Sequence, residues 1–229
     1  MATTTIYSQE DGFARYTTGV TQTNWDTVHD ASAGASDADS ENPTSLSVFK
    51  SVVVFFGTRY NISRAFLAFD VSSITSAPDS VTLNLYVTAK SGNFGIWALK
   101  SFHGDSIDHN DYNQICDGGC GSGWARTDSE VTAYGDSRLD YSLMNTSQYN
   151  SITLNSTAIS DIVSNDTLYV ALVDHHDYYD QSGTSAGSVT ISGQATSGTS
   201  QDPYLELTTA DPAVQGKILL SSGKVTLSS

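Results

Sequence analysis

The sequence predicts an all-β protein, an antiparallel jelly-roll β-sandwich with one short helix and a C-terminal β tail. Three observations predict it. Apolar residues alternate with period two wherever they gather, the pattern of strands half-buried in a sheet. Ser and Thr make up 60 of the 229 residues, and 21 of the 25 acids are Asp, so the Glu and Lys that populate helix surfaces are scarce. Clusters of Gly, Asp, Asn, Ser and Pro cut the chain into short strands with long loops at their ends, which suits two packed antiparallel sheets.

In chain order, 13–17 reads as a strand, followed by 47–56. The latter ends in Val52-Val53-Val54-Phe55-Phe56, the longest apolar run, which predicts a buried strand and is far too short to cross a bilayer. In 65–71, Ala65, Leu67, Phe69 and Val71 share one face; in 81–87 the odd positions are apolar. Further strands are expected at 94–100, 151–154, 167–174, 187–192 and 203–209. Between two of them, Asn155 is a good cap for a short helix over 156–163. The shared phase places Leu67, Phe69, Val81, Leu83, Leu85, Val170 and Leu172 in one core. Long loops at 18–45, 101–150 and 175–186 are where a site is expected.

The domain division is a sandwich over 1–210 and a linker with a short-repeat tail over 211–229. Residues 217–223 are echoed by 224–229 in two short apolar segments. A two-stranded ribbon is marginal alone, so the tail is expected to pair with a neighbouring subunit or particle surface, with Ile218, Leu220, Val225 and Leu227 setting register.

A net charge of -15 excludes nucleic acid as a partner, since phosphate binding rests on Lys and Arg. The surface composition is that of an extracellular protein, yet the amino terminus carries neither a basic region nor an apolar core. The expected location is therefore a virion exterior, with secretion as the alternative.

Arg64-Ala65-Phe66-Leu67-Ala68-Phe69-Asp70-Val71-Ser72-Ser73-Ile74 resembles the central motif of DNRLRE-type jelly-roll domains. The strand 81–87, the strand and helix from Ile152 through Val163, and the closing segment Asp202-Pro203-Tyr204-Leu205-Glu206-Leu207 resemble further parts of that family in order, across about residues 6–209. The usual tryptophan-acid segment is replaced by the loop holding Cys116 and Cys120. Such domains resemble carbohydrate-binding modules of secreted bacterial proteins and occur in tailed-phage structural proteins. The resemblance implies a structural calcium ion bridging the first and last strands, which nominates Glu10, Asp11 and Asp202.

From the residues themselves, Arg64 and Asp70 share a strand face and can form a strand-end ion pair or bind loop backbone. Three Asp clusters offer oxygen ligands for calcium, at Asp37-Asp39-Glu41, Asp105-Asp108-Asp111 and Asp174-Asp177-Asp180, though none has EF-hand spacing. Cys116 and Cys120 form a local disulfide, remain free thiols, or join His103 and His109 around zinc. His175 and His176 beside Asp174 and Asp177 make either an acid-base group or a polar strand end. Trp97 is expected in the core, whereas Trp25, Trp124, Tyr178 and Tyr179 lie in loops and are the candidates for stacking on a glycan. No hydrolase elbow, zincin or nucleotide-loop motif is present. The expected function is thus a non-enzymatic virion surface protein, capsid decoration or fibre-like, oligomeric, associated with other surface proteins, and able to bind a cell-surface glycan. The alternative is a calcium-stabilised carbohydrate-binding module of a secreted enzyme or adhesin.

Overall fold

Alternating apolar residues commit a chain to extended structure because every second side chain then reaches one face. A computed structural model of the chain describes residues 1–17, 24–34, 39–41, 43–54, 57–122, 124–125, 127, 129–194 and 200–210. Its strands are β1 (Ala2–Tyr7), β2 (Glu10–Tyr16), β3 (Asp39–Glu41), β4 (Ser45–Val54), β5 (Thr58–Asp70) and β6 (Ser80–Gly92). They continue with β7 (Gly95–Lys100), β8 (Leu139–Asp140), β9 (Gln148–Leu154), β10 (Thr167–Asp174), β11 (Gly187–Ser192) and β12 (Tyr204–Thr209). All named pairings are antiparallel. The tail residues Ile218, Leu220, Val225 and Leu227 lie outside the described residues.

Two strands of thirteen residues organise the sandwich, because each is long enough to serve two neighbours on one edge. β5 pairs with β2 along 62–68 on one edge; its other edge is divided between β10 at 65–70 and β4 at 58–63. β6 likewise pairs with β9 along 81–87, and its opposite edge is divided between β12 and β11. The β4–β11 pairing then curls one layer into the other, and β1 closes the edge beside β12. All seven residues assigned to one core, Leu67, Phe69, Val81, Leu83, Leu85, Val170 and Leu172, are fully buried in the cluster between the layers. Helix α2 (Ser156–Ser164) forms where expected, with Asn155 Oδ1 accepting from the backbone N–H groups of Thr157 and Ala158 and with Ala158 and Ile162 turned into that core.

Three expectations need correction. The apolar end of β4 is not buried: Val53 and Val54 are exposed, while Phe55 and Phe56 lie outside the described residues. The two valines lie at the tip of the β4–β5 hairpin, which pairs Val54 with Thr58. Next, β5 and β10 have two core faces rather than one. Ile62 and Phe66 of β5, Ala171 and Val173 of β10 and Leu99 of β7 meet a second buried cluster built from the loops. This cap contains α1 (Trp25–His29), a 3-10 turn over His109–Asn113 and the segment around Cys116 and Trp124, so the second layer has a third layer over it.

Finally, Arg64 does not pair with Asp70, which is exposed and accepts from Ser72 in a local turn. Arg64 is fully buried beneath the cap. Its Nε and Nη2 donate to the two carboxylate oxygens of Asp177, both at 2.8 Å, and it also donates to the carbonyls of Tyr112 and His29. Its plane lies 4.1 Å from the Tyr112 ring centroid and 5.0 Å from that of Trp124. Burial is the strongest single influence and would lower its basicity, but Asp177, Tyr112 and Asp30 together outweigh it and raise the pKa.

A buried ion pair roughly breaks even against its desolvation cost, whereas burying an indole removes about 200 Å² from water, worth roughly 5 kcal/mol. Trp25 and Trp124 therefore drive cap docking, and Arg64 fixes where the cap sits. Arg64→Ala and Asp177→Ala should each cost about 3–5 kcal/mol, since each leaves a buried charge alone. The double variant should cost far less than their sum in urea unfolding; additive losses would refute the pairing.

Candidate functional site

The residues nominated in the loops are mostly structural. Trp25, Trp124 and Tyr178 are at most 5% exposed, so none offers a flat surface to a ligand, and Tyr179 is half-buried. Trp25 donates its Nε1–H to Asp180, and the His29 ring stacks between Trp25 and Trp124 at centroid distances of 5.2 and 4.4 Å. Tyr178 and Tyr179 pack on Trp97, which is half-buried at the margin of the cap. Loop position misled because the cap, invisible as periodicity, turns loop aromatics inward.

The Asp clusters are likewise engaged. Asp108 and Asp111 form a capping box, Asp105 accepts from Tyr169, and Asp177 and Asp180 hold Arg64 and Trp25. Asp37 lies outside the described residues, and nothing is described of the side chains of Asp39 and Glu41. Cys116 and Cys120 are joined as a disulfide, which removes their sulfurs from any zinc site with His103 and His109. Among the described residues, the one trio of His, Cys, Asp or Glu side chains with ligand atoms all within 4.8 Å of one another is Asp174, His175 and His176.

Asp11 and Asp202 come together for a topological reason, whereas Glu10, the preceding residue of β2, lies on the opposite face of the strand, where its charge acts on Tyr169 of β10. β1 ends beside the start of β12, where Ser8 N–H donates to the Pro203 carbonyl, and the chain then turns directly into β2. Asp11 is fully buried and Asp202 is 4% exposed. The Asp11 carboxylate accepts from the Gln194 N–H, while Asp202 Oδ1 is buried with no hydrogen-bond donor among the described residues. Burial pushes the Asp11 carboxyl up to about 7; the Gln194 N–H opposes this and the neighbouring Asp202 charge adds to it. The Asp202 carboxyl is also raised by burial. Two crowded carboxylates, Asp11 and Asp202, suit a hard cation with oxygen ligands.

A second candidate site lies elsewhere. An open groove of about 620 Å³ runs between the exit of β7, the start of β10 and the turn at Asp117 and Gly118. Phe102 and Tyr169 give it partly exposed rings, and Asn165 and Asp166 give it a polar rim. Lys100 and Tyr134 both donate to Asp161 Oδ2, at 2.8 and 2.6 Å, and Tyr169 donates to Asp105, so these side chains are held in place. Under the groove, the Ser101 hydroxyl donates to the Gln114 carbonyl and therefore accepts from His103 Nδ1–H at 2.7 Å. Burial pushes His103 down to about 3, which keeps it neutral near pH 7 and unsuited to proton transfer there. Sequence reading missed this groove; its one signal is Tyr169, an aromatic on the opposite phase of β10 from Leu168, Val170 and Leu172.

Neither family models nor curated proteins give a match to this chain.

With cations removed by chelation, Asp11 should make stability fall as pH rises. Its folded pKa lies above the unfolded value, so between pH 4 and about 7 the folded state holds the extra proton. Asp11→Asn should match the parent near pH 4 and become more stable than it above pH 7, by on the order of 4 kcal/mol at most. Denaturation at each pH, with chelator present, reads the difference; a gap that stays constant across this range would sink the assignment.

Proposed function

We propose that this chain is a non-enzymatic structural protein of the exterior of a phage-like particle, with a glycan-binding groove and a calcium ion stabilising its jelly roll. The observation that carries the reading is the groove: two partly exposed rings, Phe102 and Tyr169, stand beside fixed polar side chains on an otherwise sandwiched fold. Aromatic faces stack on the apolar faces of sugars, and amide and carboxylate groups meet their hydroxyls. Two of the side chains that could do acid-base work are tied up, which supports the non-enzymatic part: Asp177 is consumed by Arg64, and His103 is neutral and buried. The acidic, hydroxyl-rich composition supports an exterior location. Asp11 and Asp202 are the ligands assigned to calcium, whose charge would relieve the crowding of the two carboxylates.

On a glycan array the protein should bind a restricted set of glycans, and Phe102→Ala with Tyr169→Ala should weaken binding at least tenfold without shifting the melting temperature. Calcium at about a hundred times its Kd should add about 2.7 kcal/mol of stability, and Asp202→Asn should lose that gain. Absence of glycan binding would remove the groove from the reading; a calcium response unchanged in Asp202→Asn would remove the ion.

The tail completes the proposal as an attachment strand, resting on its sequence alone: Ile218, Leu220, Val225 and Leu227 alternate in two short segments that need a partner edge. Deleting residues 213–229 should leave the melting temperature nearly unchanged and abolish self-association or particle attachment. A truncated protein that still assembles would overturn this role.

A further inference from the structure

Where β10 leaves the sheet, the chain turns at once into the single helical turn α3 (His175–Tyr178). Asp174 stands at the capping position of that turn, yet its side chain makes no capping hydrogen bond. The carboxylate faces two imidazoles instead. His175 Nδ1 lies 2.9 Å from Asp174 Oδ1, and His176 Nδ1 lies 3.1 Å from Asp174 Oδ2. The two rings are 3.7 Å apart between centroids. Asp174 is fully buried, and the histidines are 8% and 7% exposed.

The composition of the cluster suits a metal. Both rings lie within hydrogen-bond reach of the carboxylate, and one ligand atom from each of Asp174, His175 and His176 lies within 4.8 Å of the other two. Two imidazoles converging on a fully buried carboxylate are a donor set that a common ion takes when it displaces the protons between them. Two ligands about 2.0–2.2 Å from a tetrahedral metal are roughly 3.3–3.6 Å apart, so an ion would open the cluster by a few tenths of an ångström.

We propose that Asp174, His175 and His176 form a binding site for a borderline transition-metal dication of the zinc class, distinct from the calcium ligands proposed at Asp11 and Asp202. Two imidazole nitrogens with one carboxylate oxygen favour such an ion over calcium or magnesium, which take oxygen. The slightly exposed ring edges leave an approach for the ion and a place for a water ligand. The surroundings carry both signs of charge. Asp177 faces Arg64, and the Lys50 ammonium, which interacts with Asp174 and Asp177, is held by the carbonyls of Gln181 and Gly183. A bound ion would brace α3, and with it the Asp177 that grips Arg64, so the site would staple the cap to β10.

The test uses the full chain, stripped with chelator and kept in excess calcium so that the oxygen site is not the one read. Zinc titrated into it by calorimetry should bind one ion per chain at micromolar Kd or tighter. Nitrogen-15 resonances of the His175 and His176 rings should shift on binding while those of His109 stay in place. His175→Ala with His176→Ala should weaken binding at least tenfold, whereas Asp11→Asn should leave it unchanged. If the double variant fails to fold, the ring resonances of the parent protein decide. Absence of stoichiometric binding, or a zinc response on His109 in place of His175 and His176, would overturn the site and mark the cluster as hydrogen-bonded packing.

Discussion

The buried pairing of Arg64 with Asp177 is the constraint on which the cap and much of the interior depend. A guanidinium that deep in a protein cannot be left without acceptors, and Arg64 fills four of its donor positions from three different segments: Asp177 twice, the Tyr112 carbonyl and the His29 carbonyl. Those segments are the turn after β10, the 3-10 turn and the end of α1, and none could shift without stranding the charge. The aromatic rings around it, Tyr112 and Trp124 on the guanidinium and His29 between two indoles, complete a polar knot in an apolar shell. Hydrophobic burial holds the cap down; the knot leaves it one position.

That economy explains where the molecule keeps its open chemistry. The middle of the β5 face is spent on structure, so groups with unused capacity sit at its margins. Asp11 and Asp202 lie where the first strands turn, the groove lies where cover by the cap ends near Tyr169, and the Asp174 cluster lies where β10 stops. Each stands at a strand end, where backbone leaves the sheet and side chains converge from different directions.

Much of the fold was legible in the sequence because period-two alternation reports burial directly, as at Leu67 and Phe69 or Val81 through Leu85. The Asn155 cap was legible because capping is local. The second core was not. Arg64 meets Asp177 across 113 positions, and no spacing rule links them. β1 was missed because half of its residues are Thr and almost all are exposed; it is a strand through its pairing with β12 rather than through an apolar face. At the candidate sites, Glu10, Asp11 and Asp202 entered through a resemblance. The groove could not be read at all, since it is made of the end of one strand, the start of another and a distant turn.

The pairing of β1 with β12 also sets an order of events during synthesis. Ala2 faces Thr209 and Tyr7 faces Tyr204, so β1 must wait for β12 to be made. At about 5–20 residues per second, that wait is on the order of ten to forty seconds. Such distant pairing places the protein among slow folders. During the interval β1 is an unpaired edge on a growing chain, the situation in which apolar strands aggregate. A run of Ala2-Thr3-Thr4-Thr5 keeps the β propensity of branched side chains while presenting hydroxyls instead of methyl-rich surface. The same residues that hid this strand from a hydrophobic reading let the nascent chain carry it safely until its partner emerges.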